Sequence, residues 1–131
     1  MTKRALFRKH IQEGYVFKGE SIELGGAIYK GDCQPECLVK LPLKTLNRHG
    51  LIAGATGTGK TVTVQILSEQ LSQKGVPVLL MDLKGDLSGL AQPGNVNSHI
   101  KERHEKIHIP YETNAMPVEL LSISEEPGVR L

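Results

Sequence analysis

The chain lacks long apolar runs, tryptophan and any second cysteine pair, and each absence removes a class of function. No apolar stretch approaches the roughly 20 residues that span a bilayer. The basic opening Met1-Thr2-Lys3-Arg4 is not followed by the apolar region of a signal peptide. No membrane partner is expected, and the expected location is the cytoplasm. Cys33 and Cys37, in Cys-Gln-Pro-Glu-Cys, have no second pair and no nearby histidine, so they fall short of a zinc knuckle or a disulfide framework. Aromatics make up 4% of the chain, as two Phe and three Tyr. No Lys/Arg stripe is interleaved with them, so there is no sign of a stacking platform for single-stranded nucleic acid. Net charge is also small, +2 from 16 basic and 14 acidic residues, which by itself implies no polyanionic partner. Residues 1–49 carry nine Lys/Arg against five Asp/Glu, and residues 50–131 seven against nine. This unevenness reads as a solvated face.

The 131 residues, 39% hydrophobic and 23% charged with no low-complexity run, suit one soluble globular domain with a real core. Residues 2–13 suit a short helix or an arm. From Tyr15 the texture becomes β-like: Tyr15-Val16-Phe17, Ser21-Ile22-Glu23-Leu24, Ala27-Ile28-Tyr29 and Cys37-Leu38-Val39-Lys40-Leu41. Gly19, Gly25-Gly26, Gly31-Asp32 and Pro42 break the pieces, as in a small antiparallel sheet.

A polar lead-in at residues 44–50 precedes a buried strand at Leu51-Ile52-Ala53. Then comes Gly54-Ala55-Thr56-Gly57-Thr58-Gly59-Lys60-Thr61, which fits G-x-x-x-x-G-K-[ST], the phosphate-binding P-loop pattern. A helix is predicted over residues 60–74, with Thr63, Leu67 and Leu71 on one stripe beside Val62 and Ile66, and Gly75 as its stop. Val76-Pro77-Val78-Leu79-Leu80-Met81-Asp82 is apolar on both faces and reads as a parallel strand, which completes a right-handed βαβ unit. Further on, residues 87–91 suggest a helical turn, residues 97–106 a polar helix capped by Asn97 or Ser98, and residues 117–123 a strand. Residues 128–131 read as the start of another strand that is cut off.

The motif has a chemical logic. Glycines at 54, 57 and 59 let successive backbone N–H groups, roughly residues 57–62, converge on a polyphosphate at the positive end of the helix. The nucleotide-binding set is therefore Gly54, Thr56, Gly57, Thr58, Gly59, Lys60, Thr61 and Val62. Lys60 is expected on the β and γ phosphates and Thr61 on Mg²⁺. Asp82, which ends an apolar run, has the form of a Walker B aspartate and is paired with Lys60 as the catalytic set. Residues 83–131 contain no second run of four apolar residues ending in Asp-Glu.

These residues resemble a family. Residues 47–61, then Asp82-Leu83-Lys84-Gly85-Asp86 within residues 75–91, and the later Pro117-Val118-Glu119-Leu120-Leu121, are similar to the bacterial YjgR-type ATPases of the HerA/FtsK superfamily. Asp82-Leu83-Lys84-Gly85-Asp86 resembles the Asp-x-Lys/His-Gly-Glu element that closes the strand after the P-loop helix in HerA-like ATPases. The resemblance implies an α/β P-loop NTPase fold, RecA-like with a partial parallel sheet, preceded by a small β-rich segment. Residues 1–46 would form the arm and β-rich segment, and residues 47–131 the first part of the ATPase domain. It also implies ATP and Mg²⁺ as cofactors, a homo-hexamer in the full-length protein, and DNA as a partner by analogy with translocases. It puts Walker B, the sensor residue and the arginine finger beyond Leu131, which leaves Asp82 near the γ-phosphate side.

Three rival readings stand beside it. A small P-loop kinase or GTPase would use Asp82 for magnesium, but no guanine signature or acceptor lid is evident. His104-Glu105-Lys106-Ile107-His108 fits the H-E-x-x-H zinc signature, with Glu125 or Glu126 as an imagined third ligand. Against it, Pro110 follows too closely for the helix to continue. An interaction module with a degenerate loop would gain if Lys60→Ala left nucleotide affinity unchanged.

Overall fold

The computed structural model describes residues 1–123 and 128–130, and Glu125 and Glu126 lie outside the described residues. Its organising element is a β-hairpin, β1 (Ser21–Tyr29) paired antiparallel with β2 (Asp32–Pro42). The turn between them places Lys30 and Gly31 at φ 50° and 88°. Positive φ at both central residues belongs to the primed turn, whose twist matches that of the strands it joins. The sequence suggests that Gly25-Gly26 separates two strands. Instead both glycines lie inside β1, where the register shifts between Glu23 and Gly25 and again between Gly26 and Ala27. The first shift skips Leu24 of β1 and the second skips Pro35, Glu36 and Cys37 of β2, irregularities that the ladder accommodates without ending. Tyr15-Val16-Phe17 forms no strand; its two rings meet edge to face at 6.2 Å.

Among the described residues, three α-helices pack against the hairpin. Helix α1 (Lys3–Gly14) is capped by the Thr2 hydroxyl, which accepts the Ala5 N–H at 3.2 Å. It packs on β2, and Phe7 meets Tyr29 at 5.1 Å between ring centroids. Arg4 and Arg8 both donate through Nε to Gln34 Oε1, at 3.0 and 2.7 Å, while Gln34 Nε2 donates to the Asp32 and Cys33 carbonyls. Gln34 is fully buried, and this set of partners is what makes its burial tolerable. Ile22 and Cys37 share that core.

Helix α2 (Lys60–Gln73) ends as predicted at Gly75. The Gly75 N–H donates to Ser72 O at 2.9 Å and the Val76 N–H to Leu71 O at 3.0 Å, the paired bonds of a Schellman stop. Gln70 on α2 attaches the helix to β1. Its Oε1 accepts the Glu23 N–H at 2.6 Å, and its Nε2 donates to the Glu23 carbonyl at 2.5 Å. Helix α3 (Ser98–Ile107) is capped by Asn97, whose Oδ1 accepts the Ile100 N–H at 2.9 Å, and it packs against β2.

The parallel sheet differs most from expectation. The described parallel pairing joins β3 (Leu121–Ser122) to β4 (Val129–Arg130), at the two places read as strands in the sequence. The runs Leu51-Ile52-Ala53 and Val76 to Asp82 flank α2 but pair with no strand. The expected βαβ unit is therefore not formed as a hydrogen-bonded unit. Leu51, Leu79, Met81 and Leu83 are 90%, 81%, 86% and 95% exposed. An apolar run becomes a strand only when a neighbour takes its N–H and C=O groups, and among the described residues no strand pairs with either run.

Candidate functional site

The loop of residues 54–59 leads into α2 as the motif requires. Gly57 and Gly59 take φ of 79° and 89°, a region that L side chains rarely adopt, and Gly59 is the N-cap of α2 with no side-chain capping bond. At Gly54 the constraint is space, since a Cβ there would stand 2.5 Å from Thr58 Oγ1. The Ala55 carbonyl gathers the loop. It accepts the Thr58 hydroxyl at 2.7 Å, the Lys60 ammonium at 2.7 Å and the Thr58 N–H at 3.4 Å. Lys60 thus lies folded over the loop whose backbone it follows, with Thr61 and Val62 beside it in the first helical turn. Residues 54–58, Thr56 among them, face solvent.

The two aspartates of the 82–86 segment make different contacts. Asp82 turns its carboxylate into its own chain. Oδ1 accepts N–H groups of Lys84, Gly85 and Asp86 at 3.2, 2.8 and 3.3 Å, and Oδ2 accepts that of Leu87 at 2.8 Å. The Leu87 N–H, joined by those of Lys84, Gly85 and Asp86, holds the Asp82 carboxyl below its ordinary range. Asp82 therefore organises the 82–87 loop. The residue this loop brings to the glycine-rich segment is Asp86, whose Oδ2 lies 3.4 Å from Thr61 Oγ1. Gln65, one turn along α2 from Thr61, donates to the Asp86 carbonyl at 3.1 Å. Motif reasoning passed over Asp86 because the aspartate ending the apolar run has the more familiar form. The signal available was its place at the acidic end of Asp82-Leu83-Lys84-Gly85-Asp86.

The zinc reading loses its helix. Helix α3 ends at Ile107 and His108 takes a left-handed φ of 55°, so His104 and His108 do not share a continuous helical face. His104 Nδ1 is 2.9 Å from the Ile109 carbonyl, and its ring meets Tyr111 at 4.8 Å. Among the described residues no group of three or more His, Cys, Asp or Glu side chains is placed to hold a metal ion. Cys33 and Cys37 are free thiols. Among the described residues, no helix is long and apolar enough to cross a membrane. A separate cleft of about 260 Å³ opens between α2 and residues 89–116, with Glu69, Leu90, Tyr111 and Met116 in its walls.

The fold and site together define a mixed α/β protein in which a glycine-rich loop feeds a Lys-Thr helix start beside an aspartate. Comparison with known proteins makes this specific. Residues 28–131 match the family model described as helicase HerA-like C-terminal, and the chain belongs to that family. It is similar to the DNA double-strand break repair helicase HerA of Sulfolobus acidocaldarius, 46% identical over 48 residues, which is 37% of this chain and 10% of that protein. The protein of the same name from Saccharolobus solfataricus is 44% identical over 48 residues, with the same coverage of each chain. The chain thus matches about a tenth of the length of these relatives. No solved structure matches it significantly.

Proposed function

We propose that the chain binds ATP with Mg²⁺ through residues 54–62, as part of a RecA-like P-loop ATPase acting in the cytoplasm. The observation that carries this is the joint geometry of the loop. Two glycines hold positive φ, a third leaves no room for a Cβ, and Lys60 and Thr61 open the helix that follows. The uncapped start of α2 offers N–H groups and the positive end of a helix dipole to a polyphosphate. Lys60 would exchange the Ala55 carbonyl for the β and γ phosphates, and Thr61 would supply a hydroxyl ligand to the metal. Bound Mg²⁺ would neutralise phosphate charge and orient the γ-phosphoryl group.

Membership of the HerA-like family supports hydrolysis as the activity of the whole protein. The DNA repair helicases it resembles make DNA the macromolecular partner to propose, acted on by a homo-hexameric assembly. The water-orienting carboxylate and the arginine of such an enzyme would come from outside the loop described here. The direct test is titration of a fluorescent ATP analogue into wild-type protein and Lys60→Ala, with GTP as competitor. Wild type is expected to bind, ATP to compete better than GTP, and Lys60→Ala to weaken affinity at least about tenfold, equivalent to about 1.4 kcal/mol. Unchanged affinity in Lys60→Ala would refute the loop as the site, and strong guanine preference would favour a GTPase.

A further inference from the structure

Resting on the nucleotide-binding reading above, we infer that Asp86 supplies a carboxylate to the magnesium shell at this site, beside the Walker B group that the family places later in the chain, and that Asp82 and Gln65 are its positioning residues. The separation between Thr61 Oγ1 and Asp86 Oδ2 is 3.4 Å. That is long for a hydroxyl–carboxylate hydrogen bond, which falls between about 2.5 and 3.0 Å. It is close to the spacing of two oxygens on adjacent corners of a magnesium octahedron. With metal–oxygen distances of about 2.0–2.1 Å, such corners lie about 3 Å apart. A few tenths of an ångström of side-chain rotation would bring both oxygens onto one cation, or onto one of its waters.

The Asp86 backbone is held from two sides. Its N–H donates to Asp82 Oδ1 at 3.3 Å, and its carbonyl accepts from Gln65 Nε2 at 3.1 Å. Gln65 and Thr61 lie one turn apart on α2, so the helix that begins the phosphate site also sets the carboxylate's place. Among the described residues no lysine or arginine forms an ion pair with Asp86. An uncompensated carboxylate beside a polyphosphate site repels its ligand unless a cation lies between them.

This charge arrangement gives the proposal a sign that a merely structural contact lacks. With the metal chelated, Asp86 opposes nucleotide binding; with the metal present, it favours binding. The experiment titrates a fluorescent ATP analogue into wild type, Asp86→Asn, Asp86→Glu and Lys60→Ala, each in excess Mg²⁺ and in EDTA. Asp86→Asn is expected to weaken binding about tenfold or more in Mg²⁺, while binding in EDTA stays equal to wild type or tightens. Asp86→Glu, which keeps the carboxylate, is expected to retain most of the metal dependence. The inference is overturned if Asp86→Asn tracks wild type in both buffers, or if it weakens binding by the same factor in both. Wild type that binds no nucleotide in either buffer, or Lys60→Ala that binds like wild type, overturns the site reading and this inference with it. Metal dependence that survives in Asp86→Asn alone overturns only the role of Asp86.

Discussion

Replacing Gln70 with alanine tests how the phosphate-loop helix is fastened to the hairpin. Glu23 lies on an edge of β1 where, among the described residues, its N–H and C=O find no further strand. The Gln70 amide substitutes for one, with bonds of 2.6 and 2.5 Å to those two groups. Each such bond contributes about 0.5–1.5 kcal/mol net, so losing both costs about 2 kcal/mol, with the upper end set by how far water reaches the edge once alanine is in place. At an unfolding entropy of about 2.1 cal/mol/K per residue, that is a fall of about 7 °C in Tm for a chain of this length. Gln70→Glu is informative because it keeps the acceptor for the Glu23 N–H but sets a carboxylate against the Glu23 carbonyl; the loss should equal or exceed that of alanine. Lys74, one turn further on, reaches Glu20 at 3.2 Å as an exposed pair, and Lys74→Ala should cost under about 1 kcal/mol. Urea and thermal unfolding followed by circular dichroism at a common pH would rank the three. A Gln70→Ala protein within about 0.5 kcal/mol of wild type would refute the reasoning, since that is the scatter of an ordinary surface substitution.

Glu69 sits in the wall of the cleft, and burial raises its carboxyl above the ordinary 4.5. The folded state therefore disfavours its ionised form. The penalty is absent below pH 4.5, grows as pH rises through the folded-state value and is complete above it. Glu69→Gln should thus be more stable than wild type at neutral pH, with the advantage vanishing under acid conditions, as Tm measured against pH will show; a Gln variant less stable at pH 7 would contradict this. The two thiols should also separate. Cys37 is 1% exposed and burial pushes its thiol up, whereas Cys33 is only partly covered. Iodoacetamide should label Cys33 in the folded protein and Cys37 only in denaturant, with Cys33→Ser abolishing the fast phase; fast labelling of Cys37 would show that the α1–hairpin core opens readily.

What could be read from the sequence divides along a physical line. Features closed by nearby residues were legible: the stop of α2 at Gly75, the Asn97 cap of α3, and a loop whose glycines at 54, 57 and 59 each meet a local steric demand. Features that need a distant partner were not. Leu51-Ile52-Ala53 and Val76 to Asp82 have the composition of buried strands, yet strand formation depends on what lies alongside, and composition cannot provide that. Leu79 and Met81 of the second run are left largely exposed. The two aspartates of the 82–86 segment show the same dependence at smaller scale. Asp82 and Asp86 are equivalent as residue types, and only the path of the backbone between them separates their roles. Four N–H groups from residues 84–87 converge on the Asp82 carboxylate, and the turn this creates brings Asp86 to Thr61. A carboxylate engaged by so many backbone donors is held in place and has little freedom left to ligate a metal. One that faces a single hydroxyl at 3.4 Å keeps its lone pairs available, which is the ground for proposing Asp86 rather than Asp82 as the carboxylate turned toward the metal.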